Sequence, residues 1–169
     1  NNTYRTEFLI ENLKINMNVL EACIKRPHIN IVNLGSSCIY PLNANNPISE
    51  NSFMDGKLEP TNSPYALAKI TAIELGREIK YQYGNKIINL MPTNLYGPRD
   101  NFSAQDSHVI PGLIYRMFNN MDSDTFEIWG TGNPLREFLY VYDLADCIKF
   151  IIDSDVNEDL LNMGTGWES

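Results

Sequence analysis

Positive charge is scarce in this chain: 13 Lys and Arg face 21 Asp and Glu across 169 residues, a formal net charge of −8. A surface of that sign argues against nucleic acid or anionic membrane as a partner, although a few well-placed arginines can still hold an anionic ligand. Cysteine is sparse too. Cys23, Cys38 and Cys147 form an odd set without CxxC spacing, which suggests neither a disulfide framework nor a zinc site. No apolar run approaches membrane-spanning length, and repeats and low-complexity segments are missing. Such a composition suits a soluble intracellular enzyme. Glycine is present but not in a dinucleotide fingerprint: Gly130-Thr131-Gly132 and Gly164-Thr165-Gly166 lack the third glycine and the strand-to-helix setting, and both read as turns.

What the chain does have is Ser36-Ser37-Cys38-Ile39-Tyr40-Pro41 followed, past a polar loop, by Pro64-Tyr65-Ala66-Leu67-Ala68-Lys69. A Tyr-x-x-x-Lys on a helix puts both side chains on one face, where the ammonium can favour the phenolate. Moving hydride at carbon requires moving a proton at oxygen, and Tyr can carry it. Bringing a phenol from a pKa of about 10 to near neutrality takes roughly 4 kcal/mol from a neighbouring cation and a cofactor charge. Lys69 is the candidate cation, and Ser36 supplies a further hydroxyl. The same short pattern also occurs in helices that merely present a solvated face, so its setting matters.

That setting is favourable. Ser63 as N-cap and Pro64 as first helical residue place Tyr65 in the first turn of a helix that runs to about Tyr83 and stops at Gly84. Ala66, Ile70 and Ile73 form its apolar stripe. Ile29 to Leu34 reads as a buried strand, so Ser36 leaves the carboxyl end of a strand, where open parallel sheets bind ligands. Leu9, Leu13, Met17, Leu20 and Ile24 give an earlier helix a buried stripe, and Lys86 to Met91, Leu160 to Met163 and Val141 to Ile152 read as two strands and a helix. Alternating strands and helices predict an α/β fold, a partial doubly wound parallel sheet. From about Phe102 the pattern loosens.

The chain resembles the extended short-chain dehydrogenase/reductase family over nearly its whole length. The segments that carry the likeness are Asn1-Asn2-Thr3-Tyr4-Arg5, Leu34 to Pro41, Glu59-Pro60-Thr61-Asn62 running into Pro64-Tyr65, Met91 to Pro98, Ser107 to Pro111, and Trp129 through Arg136-Glu137-Phe138. Family members are about twice as long and begin with a strand, a Gly-rich turn and a helix, so the resemblance implies the middle of a longer protein. Part of a Rossmann-like domain and part of a substrate lobe are then expected, with NADP(H) as cofactor, a GDP-linked 4-keto-6-deoxy sugar as substrate, a homodimer in the complete protein and a cytoplasmic location. The resemblance implies a division into 1–101 as the C-terminal part of an NADP-binding Rossmann domain, 102–140 as part of a smaller substrate lobe, and 141–169 as a returning helix and strand.

By resemblance, Ser36, Tyr65 and Lys69 form the reductive site: Ser36 bonds the C4 oxygen of the sugar, Tyr65 protonates it, and Lys69 also holds the nicotinamide ribose. Cys38 matches a base that removes protons beside the ketone, and His108 matches the acid opposite it; an imidazole can donate near neutral pH. Cofactor contacts carry over to Leu34, Gly35, Ser36, Ser37, Lys69, Pro92, Thr93, Asn94, Leu95 and His108, and substrate contacts to Arg116, Trp129 and Arg136. The bland readings are a Ser at a strand end, a packed Cys, a surface His, turn chemistry at Pro92 and Asn94, and a solvated Arg; His28 reads as such a surface residue. Asp143 is expected to cap the helix that follows it. The implied activity is NADPH-dependent 3,5-epimerisation and 4-reduction of the sugar. A GDP-mannose 3,5-epimerase or another NAD-dependent nucleotide-sugar epimerase/dehydratase stands second, and a non-catalytic fragment or binding module is the reading from another class.

Overall fold

The computed structural model describes residues 3–121, 125, 128, 130–154 and 156–168. The chain divides into two compact units, one of residues 1–93 with 148–163, the other of residues 94–147 with 164–169.

In the first unit, helix α1 (Arg5–Ile24) leads into strand β1 (Ile31–Leu34), helix α2 (Ser63–Tyr83), strand β2 (Ile87–Pro92) and, much later, strand β5 (Leu160–Met163). The three strands form one parallel sheet in the order β1-β2-β5. Parallel neighbours need a crossover, and α2 supplies the one between β1 and β2. The helix starts one residue earlier than its sequence signals suggest: Asn62 is the N-cap, without a side-chain cap bond, and Ser63 is already helical. Gly84 ends it at φ 76, a left-handed conformation that glycine adopts without a Cβ clash, and its N–H donates to Lys80 O.

Leu20, Ile31, Ala72, Ile79 and Ile87 make one apolar cluster; Ile39, Tyr40, Ile73, Met91 and Leu160 make another. The stripe on α1 is narrower than its periodicity implies. Leu20 is buried and Leu9, Leu13 and Ile24 are half-buried, but Met17 is exposed. Asn16 donates from Nδ2 to Ala68 O on α2. Asn85, buried just after α2, donates to the carbonyls of Cys23 and Arg26, tying together the far ends of the two helices.

β2 is buried along its whole length. Its one interior amide, Asn89, faces Asn33 in the β1 register; Asn33 Nδ2 donates to Asn89 Oδ1 at 2.8 Å, and Asn89 donates through both N and Nδ2 to Asp159 O at 2.9 Å. This polar seam joins β1 to β2 and β2 to Asp159, the residue just before β5, with the Asn89 amide paired.

The second unit holds strand β3 (Asn94–Tyr96), helix α3 (Val109–Asn119), strand β4 (Phe138–Tyr140) and the first half of helix α4 (Val141–Asp153). β3 and β4 pair in parallel as a second sheet. Tyr96, Tyr140 and Tyr142 stack as a tilted and then an edge-on pair, both at 5.4 Å between centroids. Asp143 is not the cap of α4. The helix begins at Val141, directly after β4, so Asp143 lies in its first turn, where its charge favours the helix dipole.

Ile73 is wholly inaccessible and belongs to the cluster beneath the Ser37–Ile39 turn. Ile73→Ala should therefore cost about 2–5 kcal/mol, read as a fall in the thermal unfolding midpoint, whereas Leu67→Ala on the exposed side of the same helix should move it little.

Candidate active site

β1 ends at Leu34, and Gly35 follows close against β2: a Cβ there would meet the tip of the Met91 side chain, which would have to move aside. Gly35 N donates to Leu90 O at 2.8 Å, holding the strand end flush with its neighbour. The chain then turns sharply. Ser36, in extended conformation, caps a single 3₁₀ turn of Ser37–Ile39, its Oγ accepting from Cys38 N at 3.4 Å. Ser36 and Cys38 are half-buried, Ser37 is exposed, and Ile39 and Tyr40 are sunk beneath the turn.

Tyr65 and Lys69 reach the same place from α2. Lys69 Nζ donates to Leu34 O at 2.8 Å and lies 5.5 Å from the centre of the Tyr65 ring. Burial pushes the Tyr65 phenol up, with a smaller push from the Cys38 thiolate. Lys69 is lowered by burial, partly offset by Cys38. The ammonium is bonded to a backbone carbonyl and lies over the Tyr65 ring. Burial also pushes the Cys38 thiol up, opposed by the Ser36 hydroxyl and by Lys69. Burial thus displaces the phenol, the thiol and the ammonium each toward its neutral form.

Three groups that sequence reasoning left without roles support this arrangement. Phe8 of α1 packs against Tyr65 with ring centroids 5.6 Å apart. Arg5 donates to Pro60 O at 2.9 Å, Thr61 O at 3.3 Å and Ser63 Oγ at 3.3 Å, pinning the entry to α2. Glu59 accepts from the Thr61 hydroxyl and from the amides of Thr61 and Asn62, and the Thr61 bonds hold its carboxyl below the usual range. The signal was available: Arg5 and the Glu59 to Asn62 segment are among the family-like stretches.

At the end of β2, Pro92 is buried, and Thr93 N donates to Met163 O at 3.0 Å. The Thr93 hydroxyl is buried and has no partner in the described structure. Asn94 and Leu95 begin β3 in the second unit, where Asn94 donates to Glu137 O through N and Nδ2. That unit also contains His108, exposed at the N-cap of α3; Arg116, half-buried with Nε donating to Gly112 O at 3.3 Å; and Arg136, exposed and donating to Leu135 O at 2.8 Å. Trp129 lies outside the described residues. The first unit thus brings Ser36, Cys38, Tyr65 and Lys69 together.

A parallel α/β fold with a Ser, Tyr and Lys gathered at a strand's carboxyl end is a Rossmann-like fold, present here in part. The matching family profile, described as NAD dependent epimerase/dehydratase family, spans residues 1–164, and the chain belongs to that family. A probable GDP-L-fucose synthase 1 of Oryza sativa subsp. japonica is 47% identical over 99% of this chain and 52% of its own length. The GDP-L-fucose synthase of Escherichia coli (strain K12) is 45% identical over 86% of this chain and 46% of its own length. Among solved structures, a GDP-L-fucose synthetase from Naegleria fowleri bound to NADP superposes with a TM-score of 0.88 at 29% identity, covering 96% of this chain and 54% of that one. The chain spans about half the length of the curated relatives it matches. No helix among the described residues is long and apolar enough to cross a membrane.

The electrostatics predict how Cys38 reacts. Its alkylation by iodoacetamide should rise with pH through an inflection above the pKa of about 8.5 of a free thiol, because burial disfavours the thiolate. Lys69→Met should move the inflection higher still, since the charge that lowers it is gone. Peptide-resolved mass spectrometry reads both shifts, and an inflection at or below the free-thiol value would contradict the burial argument.

Proposed function

We propose that this chain is the central part of a GDP-L-fucose synthase-type enzyme, which with NADPH epimerises GDP-4-dehydro-6-deoxy-D-mannose at C3 and C5 and reduces it at C4 to GDP-L-fucose. The observation that carries the reading is the meeting of Cys38 with Ser36, Tyr65 and Lys69, a base and a reductive proton donor within one turn and one helix face. The names of the relatives support it.

The residues at the strand ends fit a nicotinamide. Gly35 keeps the backbone close to β2, and the buried, unpartnered Thr93 hydroxyl offers a polar group that a ligand can satisfy. Leu34, Gly35, Ser36, Ser37, Lys69 and Pro92 to Leu95 are the proposed holders, with His108. Once bound, the cofactor supplies hydride. Everything else falls to the side chains. Cys38, as thiolate, removes a proton from the carbon beside the ketone, whose anion delocalises onto the carbonyl oxygen; His108 returns a proton from the other face. Ser36 donates to the C4 oxygen, and Tyr65, held neutral by burial, gives that oxygen its proton. Lys69 offsets negative charge developing there. Arg116 and Arg136 are proposed for the pyrophosphate, which a planar guanidinium fork can bind through two charge-assisted bonds. Trp129 is proposed to stack on the substrate. A homodimer remains part of the proposal.

In the full-length protein, Cys38→Ser should abolish deuterium uptake at C3 and C5 of the keto sugar in D₂O, because a serine hydroxyl is a far poorer base. Persistent exchange, read by NMR of the recovered sugar nucleotide, would reduce Cys38 to a packing role and favour a plain reductase. His108→Gln should let exchange persist at one carbon while the inverted product falls.

Tyr65→Phe should instead slow NADPH consumption by about 10² to 10⁴ with little change in substrate affinity, since the lost proton donor acts mainly in the transition state. Stopped-flow absorbance measures this, and retention of most of the parental rate would remove Tyr65 as the acid.

A further inference from the structure

The turn that carries Cys38 has little of its own to hold it. A single 3₁₀ turn closes only two backbone bonds, Ile39 N to Ser36 O and Tyr40 N to Ser37 O, both 3.2 Å, and the Ser36 cap is long at 3.4 Å. A 3₁₀ turn has poorer hydrogen-bond geometry than an α-helix, and this one is a single turn long. Something outside the turn must set where the thiol points.

That anchor is found on β5. The Tyr40 hydroxyl donates to Asn162 Oδ1 at 2.5 Å. Asn162 Nδ2 in turn donates to Ile48 O at 2.8 Å, and its backbone N–H donates to Glu50 Oε1 at 2.8 Å. One amide side chain thus accepts from the residue that leaves the Cys38 turn and donates to the far end of the same loop, while Glu50 straps the second 3₁₀ turn (Glu50–Ser52) to the same strand residue. Tyr40 is buried among Ile39, Ile73, Met91 and Leu160, so its ring has little freedom once its hydroxyl is engaged. Burial and the Glu50 charge push the Tyr40 phenol up to about 12, and it remains a donor throughout the neutral range.

We propose that Asn162, acting through the Tyr40 hydroxyl, is a positioning residue that holds the Cys38 turn against Tyr65 and Lys69. Its consequence for epimerisation rests on the reading of Cys38 as the base; the placement of the thiol does not. The bond joins residues 122 positions apart in sequence, so the geometry of the Cys38 turn depends on a strand far along the chain.

The test compares Tyr40→Phe and Asn162→Ala with the parent, in the full-length protein, by the iodoacetamide rate at Cys38, Cys23 and Cys147 resolved peptide by peptide. Losing the bond should let solvent reach Cys38 and raise its rate about tenfold, the equivalent of one hydrogen bond, while Cys23 and Cys147 stay within about twofold of parent. A Cys38 rate unchanged in Tyr40→Phe overturns the proposal, and so does a parallel rise at all three cysteines, which would mark general loosening. If Asn162→Ala does not fold, Tyr40→Phe, which keeps the ring and removes one oxygen, decides alone. Deuterium exchange separates this proposal from the functional one. A selective rise at Cys38 in a protein whose parent shows no C3 or C5 exchange leaves the positioning intact and removes the epimerase; where the parent exchanges, Tyr40→Phe should slow exchange about tenfold without changing sugar-nucleotide affinity.

Discussion

The bond from Lys69 Nζ to Leu34 O joins the two pieces of chain that make the site. It runs from the face of α2 that carries Tyr65 to the last residue of β1, and it fixes the distance between the helix and the turn that leaves that strand. The bond costs the ammonium part of its solvation, which is why burial is the largest influence on Lys69. In exchange, a cation stands beside a thiol and a phenol that burial would otherwise leave in an apolar setting. Phe8, Arg5 and Glu59 brace the helix side of this junction, and Asn162 with Tyr40 braces the turn side.

The resting protonation states follow from the same burial. Cys38 and Tyr65 are both displaced toward their neutral forms. A neutral phenol is the form that can donate a proton, and a neutral thiol must lose one before it can accept another. The two halves of the proposed reaction therefore begin from unequal states: the donor is ready as it stands, whereas the base requires further positive charge or a proton acceptor nearby.

Much of this was legible in the residues. The extent of α2 follows from Pro64 near its start and Gly84 at its end, and the pairing of Tyr65 with Lys69 follows from helical spacing. The emergence of Ser36 from a strand end follows from one short apolar run. Other features depend on tertiary partners that periodicity does not reveal. Met17 sits on the apolar side of a helical wheel but is exposed, whereas Asn16 next to it donates to Ala68 O on α2. β3 is three residues long and starts two residues after β2 ends, too short for an alternation to declare itself. Spacing shows that Tyr65 and Lys69 share a face, but not that the ammonium is bonded to Leu34 O. The links from Arg5 to Pro60 and from Tyr40 to Asn162 join segments far apart in sequence, which a single chain read in order cannot pair.

The Asn33–Asn89 pair has a consequence for how the sheet finds its alignment. β1 and β2 are otherwise lined with aliphatic side chains, and a slip of two residues along parallel strands returns the same faces to the core. Aliphatic contacts alone distinguish such alignments poorly. A slipped β1 would leave the Asn89 amide opposite Ile31 or beyond the strand end, stranding a buried polar group at a cost of about 1–3 kcal/mol. The seam thus works as a vernier: it makes one alignment of the strands distinct, and that alignment brings Gly35 level with Met91 and sets the height at which the thiol, the phenol and the ammonium meet.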